Sequence, residues 1–200
     1  MMVGRDISQF YQRTKHDLGE VVLSVRGLRS VEHRGYKLDF EVRAGEVVGV
    51  AGLVGAGRSE MLAALFGARP ALGGDVLVAG KGGLPRSPRE SLGRGLALVP
   101  EDRKGQGLIL DLAVKDNMSL ASLRRDSKGP FLNTSKEEEL VAEMTSALSV
   151  KTPGSWQLAR FLSGGNQQKI VLAKWLALKP KVLLLDEPTR GVDIGAKEEI

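Results

Sequence analysis

Residues 46–67, EVVGVAGLVGAGRSEMLAALFG, constrain the fold more than any other stretch of the chain. A short apolar run ends in glycine, a glycine-rich loop follows, and Met61, Leu62, Leu65 and Phe66 then recur with a helical period. The order is strand, loop, helix. The loop fits G-x-x-x-x-G-K-[ST] with Gly52, Gly57 and Ser59 in place and Arg58 where the pattern carries lysine. A loop of this kind turns successive backbone N–H groups toward a phosphate, and side chains would obstruct that approach, which explains Gly52, Gly55 and Gly57. Leu53, Val54, Ala56 and Glu60 complete the candidate contact set, and the helix adds its positive N-terminal end. Ser59 stands where a hydroxyl ligates Mg²⁺. Taken alone, the stretch also fits an ordinary tight strand-to-helix turn.

Around this unit the apolar pattern predicts strands at 21–25, 36–42, 75–80 and 96–100 and within 181–189. Helices are expected over 88–93, 114–123, 135–148 and from Ser163 to about 178, with a loop at 124–133. Ser87, Pro88 and Glu90 form a capping-box start for the first of these. Tyr36 and Phe40 are read as strand core residues. The alternation implies an α/β fold: a mainly parallel core sheet, an N-terminal antiparallel β-subdomain and an inserted α-helical subdomain at about 110–165.

Two further elements carry chemistry. The run VLLLDE, 182–187, is a buried strand delivering Asp186 and Glu187 at its carboxyl end, where open α/β sheets bind ligands. Asp186 suits a Mg²⁺ held through water, and Glu187 suits the polarising of an attacking water. Ser163, Gly164 and Gly165 open a helix 23 residues before Asp186, a second anion-binding helix start in one chain.

A net charge of +5 is spread over 29 basic and 24 acidic residues without a long run of either sign. Aromatics make up 4%, so the interleaved basic and stacking residues of a single-strand nucleic-acid binder are missing. The chain has no cysteine, which removes disulfides and thiolate metal sites and favours the cytosol. No apolar stretch approaches the roughly 20 residues of a membrane span.

LSGGNQQK together with LLLDEPTRGVD resembles the ATP-binding cassette (ABC) family, with the P-loop NTPase fold. The resemblance implies ATP and Mg²⁺ as cofactors, and a pair of cassettes facing head to tail, each nucleotide lying between one phosphate loop and the other cassette's LSGG. It assigns Glu187 a catalytic role and adds Gln167 and Asp193 to the nucleotide contacts of 52–60 and 163–165. Ser59, Asp186 and Glu101 become the metal-site residues, Glu101 standing where most cassettes carry the Q-loop glutamine. Asn117 matches the position after that loop.

MVGR near the start, PEDRKGQGL, NMSL and DEPTRGVDIGAK narrow the likeness to the second cassette of tandem ATPase subunits of bacterial ribose, galactose and xylose-type importers. That likeness implies a first cassette in the same polypeptide, membrane permease subunits, an external sugar-binding protein and a place on the cytoplasmic face of the membrane, with no nucleic-acid partner. Residues 1–20 become an inter-cassette linker, 21–200 a partial nucleotide-binding domain, and 96–125 the permease-docking surface. The family's switch histidine has no counterpart, since His16 and His33 both precede the phosphate loop. The alternatives are a soluble ABC ATPase acting on ribosomes or DNA, and a regulatory module that binds nucleotide without hydrolysing it.

Overall fold

A computed structural model describes residues 17–129 and 131–200, so most of the expected linker lies outside the described residues. The first strand, β1 (Val21–Ser30), is the centre of a four-stranded antiparallel sheet with β2 (Leu38–Arg43), β3 (Ala71–Val78) and β4 (Lys81–Gly82), in the order β2-β1-β3-β4. Val25 lies opposite Phe40 on one side and Val76 on the other. The inward residues Leu23, Val25, Leu28, Val76 and Val78 are buried against helix α1 (Arg58–Leu65) through Met61 and Leu65.

Tyr36 departs from expectation: it precedes β2 and is 73% exposed. The strand starts two residues later, whereas Phe40 does pack on the core.

Helix α2 (Pro88–Arg94) starts as its sequence dictates, with the Ser87 hydroxyl accepting from the Glu90 N–H at 3.3 Å. The Glu90 carboxylate reaches back to the Arg86 N–H at 2.9 Å, one residue before the cap. Gly95 then adopts a left-handed conformation, φ 90°, and ends the helix. Strand β5 (Leu96–Val99) follows and pairs in parallel with β8 (Val182–Leu185), Leu96 opposite Val182 and Val99 opposite Leu185.

The second core gathers Val99, Val114, Met118, Val141 and the buried run Ile170 to Ala173. It is built by α3 (Val114–Ser119), α5 (Thr134–Ala147) and α6 (Gly164–Leu176), the last buried on nearly every side. The expected loop at 124–133 contains a short α4 (Leu123–Asp126) and a two-residue hairpin of β6 (Ser127–Lys128) with β7 (Phe131–Leu132). Helix α7 (Ile194–Glu199) follows β8.

The run 46–52, expected as a strand, is not one. Strands exist by pairing, and β8 pairs on one edge only, with β5. Val47, Val48 and Val50 instead line an apolar cavity of about 410 Å³ whose far wall is β8 and whose floor is Met61, Leu62 and Leu65. Val47 is 93% exposed, so apolar character alone did not bury it.

Candidate functional site

The glycine loop folds as a turn in which the Ala56 N–H donates to the Leu53 carbonyl at 3.0 Å. Gly55 and Gly57 have φ of 82° and 83°, a region costly for any residue with a Cβ. Gly57 is the cap of α1 and is buried, while Gly52, Leu53, Val54, Gly55 and Ala56 are exposed. The exposed backbone is therefore presented to solvent at the start of a helix, as an anion-binding loop requires. Any side chain at Gly57 would collide with the imidazole of His33, a neighbour that nothing in the sequence pattern pointed to.

Arg58 does not extend into open space. One guanidinium nitrogen donates to the Gly52 carbonyl at 2.9 Å and another lies 3.1 Å from the Glu187 carboxylate. Glu187 itself has φ 43°, a left-handed conformation that costs a non-glycine residue about 1–2 kcal/mol and turns its side chain back over the loop. The loop cation and the candidate base thus face each other. Both side chains are partly exposed, so the pair is worth no more than about 1 kcal/mol and can be exchanged for another partner.

Asp186 is buried at the end of β8 beside Ser59. Burial pushes its carboxyl above the ordinary aspartate range; the Ser59 hydroxyl opposes that shift, and the nearby Glu187 and Glu60 charges reinforce it. The Ser59 hydroxyl also lies 3.5 Å from the Glu101 carboxylate. Asp186 and Glu101 thus both lie beside the Ser59 hydroxyl, although Glu101 is also committed to an ion pair with Arg190. Among the described residues no cluster of three or more His, Cys, Asp or Glu side chains gathers around one point.

The LSGG segment lies at the start of α6. Ser163 caps the helix, its hydroxyl accepting from the Asn166 side chain at 3.0 Å, and it is exposed. A Cβ at Gly164 would meet Arg103 Nη2 at 2.8 Å, and one at Gly165 would meet the Ala196 Cβ at 2.6 Å. Packing thus demands glycine at 165, whereas at 164 the Arg103 guanidinium and the Gly191 carbonyl, at 3.0 Å, leave little room for a side chain. Gln167 is buried, with its amide nitrogen donating to the Ala159 carbonyl at 3.0 Å, so it is directed into the fold and away from the surface that Ser163 presents. Asp193 is the cap of α7 and accepts from the Ala196 N–H at 2.9 Å. No hydrogen bond or ion pair among the described residues joins 163–165 directly to the loop at 52–57.

Asn117 is fully buried in the role of a clamp. Its side chain accepts from the Ile109 N–H at 2.9 Å and donates to the carbonyls of Ile109 and Ala113 at 2.9 and 3.1 Å.

The solved ATP-binding cassette MJ0796, captured as a post-hydrolysis dimer bound to ADP and Pi, superposes with a TM-score of 0.72 over 89% of this chain and 79% of that one, at 20% identity. The cassette MJ1267 gives 0.73 over 90% and 74%, at 19% identity. The fold is therefore that of an ATP-binding cassette.

A family profile described as "ABC transporter" matches residues 36–190. The chain is 52% identical over 200 residues to a ribose import ATP-binding protein, RbsA 2, of Rubrobacter xylanophilus, and 50% identical over 204 residues to RbsA 1 of Streptomyces avermitilis. The chain belongs to the ABC transporter family. All of it aligns with each relative but spans only 38% of that relative's length.

Proposed function

We propose that this chain is a nucleotide-binding cassette of a sugar-import ATPase, that its own phosphate loop binds Mg-ATP but turns it over slowly, and that its LSGG segment completes a competent site on a partner cassette. The observation that carries the reading is the convergence of Arg58, Ser59, Asp186 and Glu187 from two separate elements on one end of α1. Identity with two ribose import ATP-binding proteins supports sugar, and ribose in particular, as the cargo class of the whole assembly.

The residues present fit the cofactor. A hydroxyl and a buried carboxylate side by side are hard oxygen donors suited to Mg²⁺, and Ser59 and Asp186 supply them. Exposed loop amides at 52–56 and the start of α1 suit the phosphates. Bound Mg-ATP supplies the phosphoanhydride whose hydrolysis drives transport. Arg58 neutralises phosphate charge, Glu101 stands next to Ser59, and Glu187 is the group able to hold a proton from water.

Slowness follows from a guanidinium standing where the loop pattern carries an ammonium to position the γ-phosphate. Guanidinium is planar, wide and two-pronged, unlike the compact ammonium of lysine. In this site its two prongs reach the Gly52 carbonyl and, through an exchangeable contact, the Glu187 carboxylate, an arrangement unlike the single reach of a lysine to a phosphate oxygen. A loss of about 2–4 kcal/mol of transition-state stabilisation slows turnover roughly 30- to 1000-fold. The partner cassette, the permease, the sugar-binding protein and a station on the cytoplasmic face of the membrane belong to the same proposal. Among the described residues no helix is long and apolar enough to cross a membrane.

The test is ATP binding measured against single-site hydrolysis, for this sequence and for Arg58→Lys. Binding with slow hydrolysis, and at least a tenfold gain on Arg58→Lys, supports the proposal; an unchanged rate refutes the role given to Arg58. Failure to bind ATP refutes the whole reading.

A further inference from the structure

Arg103 lies in a π-helical turn (Arg103–Gly107) directly after β5, yet its side chain serves two distant loops. Nη1 donates to the Arg190 carbonyl at 2.8 Å and Nη2 to the Gly191 carbonyl at 3.1 Å, across 87 and 88 residues of sequence. Nε lies 3.5 Å from the Gln167 side-chain oxygen, and Nη2 lies 2.8 Å from where a Cβ on Gly164 would sit. One planar group therefore rests against both the start of α6 and the turn between Glu187 and Asp193.

The same turn is held from the other side. The Glu101 carboxylate pairs with the Arg190 guanidinium and lies 3.5 Å from the Ser59 hydroxyl. A continuous set of polar contacts thus runs from the phosphate loop through Ser59, Glu101, Arg190 and Arg103 to Gly164 and Gln167. Its two end contacts, at 3.5 Å each, are the loose ones, while the two Arg103 bonds in the middle are well formed. A ligand drawing on Ser59 or Glu101 would compete with the contacts at one end of this set, and the two Arg103 bonds connect that end to the other.

We propose that Arg103 is a positioning residue that couples occupancy of the phosphate loop to the geometry of the Ser163–Gln167 helix start. The proposal rests on the reading of 52–59 as a nucleotide loop. Lysine cannot replace it, because two carbonyls in different directions and a flat face against Gly164 call for a guanidinium.

The experiment is amide hydrogen exchange of the purified chain, at concentrations where it is monomeric, with and without Mg-ATP. Both 52–59 and 164–168 are expected to change protection in the native sequence. In Arg103→Lys and in Arg190→Ala, whose side chain is exposed, the response at 52–59 stays within about twofold. The response at 164–168 falls at least fivefold.

Thermal melts establish that both variants are folded. A response at 164–168 that survives in either variant overturns the coupling. A native chain whose 52–59 amides ignore Mg-ATP overturns the underlying nucleotide reading instead, and the two failures are thereby distinguished.

Discussion

Individual residues in this cassette carry more than one constraint, and glycine at position 165 is a case in point. With the Ala196 Cβ only 2.6 Å from where a new Cβ would fall, Gly165→Ala overpacks the α6–α7 contact. We expect a loss of about 1–3 kcal/mol in urea unfolding, present without any nucleotide. Lys174 offers a second residue-scale prediction. Burial pushes its ammonium down to about 8, and its partners are the Gly107 carbonyl and the Trp175 ring rather than a carboxylate.

The folded form of Lys174 therefore binds fewer protons than the unfolded chain, whose lysine titrates near its ordinary 10.5. Its destabilising effect is fully present below pH 8 and fades as pH rises toward 10.5. Replacing it by Met should raise stability by about 1–3 kcal/mol at pH 7, and the gain should shrink in denaturant titrations at pH 10. An equal gain at both pH values would show that the charge is not what costs stability there.

At the scale of elements, Asn117 ties α3 to the loop 109–113 through four backbone groups, the fourth being the Leu112 carbonyl at 3.3 Å. Asn117→Ala would leave the Ile109 N–H without its acceptor and remove one of two donors at each of the Ile109, Leu112 and Ala113 carbonyls, and we expect a loss of about 1–3 kcal/mol with faster exchange confined first to 109–119. Elements with such local signatures were legible in the sequence: Ser87 and Glu90 start α2, Ser163 starts α6, and VLLL forms β8, although only Val182 and Leu184 are buried and Leu185 is exposed.

What the sequence did not disclose is what depends on partners far along the chain. The run 46–52 has the composition of a strand but no ladder neighbour, and Val47 is left exposed. Arg103 reads as one letter of PEDRKGQGL, with nothing local to announce its hold on Arg190 and Gly191. Gln167 belongs by position to the signature helix, yet the helical period directs it inward to the Ala159 carbonyl. The residues of the candidate site were therefore recognisable as a set, while the wiring among them, including Arg58 against Glu187, required three dimensions.

For the whole molecule, the two functional ends are unlike. The phosphate-loop end holds an arginine paired with its own candidate base, whereas the LSGG end presents an exposed Ser163 on a well-capped, deeply buried helix. If the chain works beside a partner cassette, these ends serve different nucleotides, and damage to them should not be equivalent. The most direct measurement is transport-coupled ATPase of the assembled importer carrying Ser163→Ala or Glu187→Gln. We expect Ser163→Ala to reduce turnover at least tenfold more than Glu187→Gln does; the reverse ranking would contradict the division of labour proposed for this cassette.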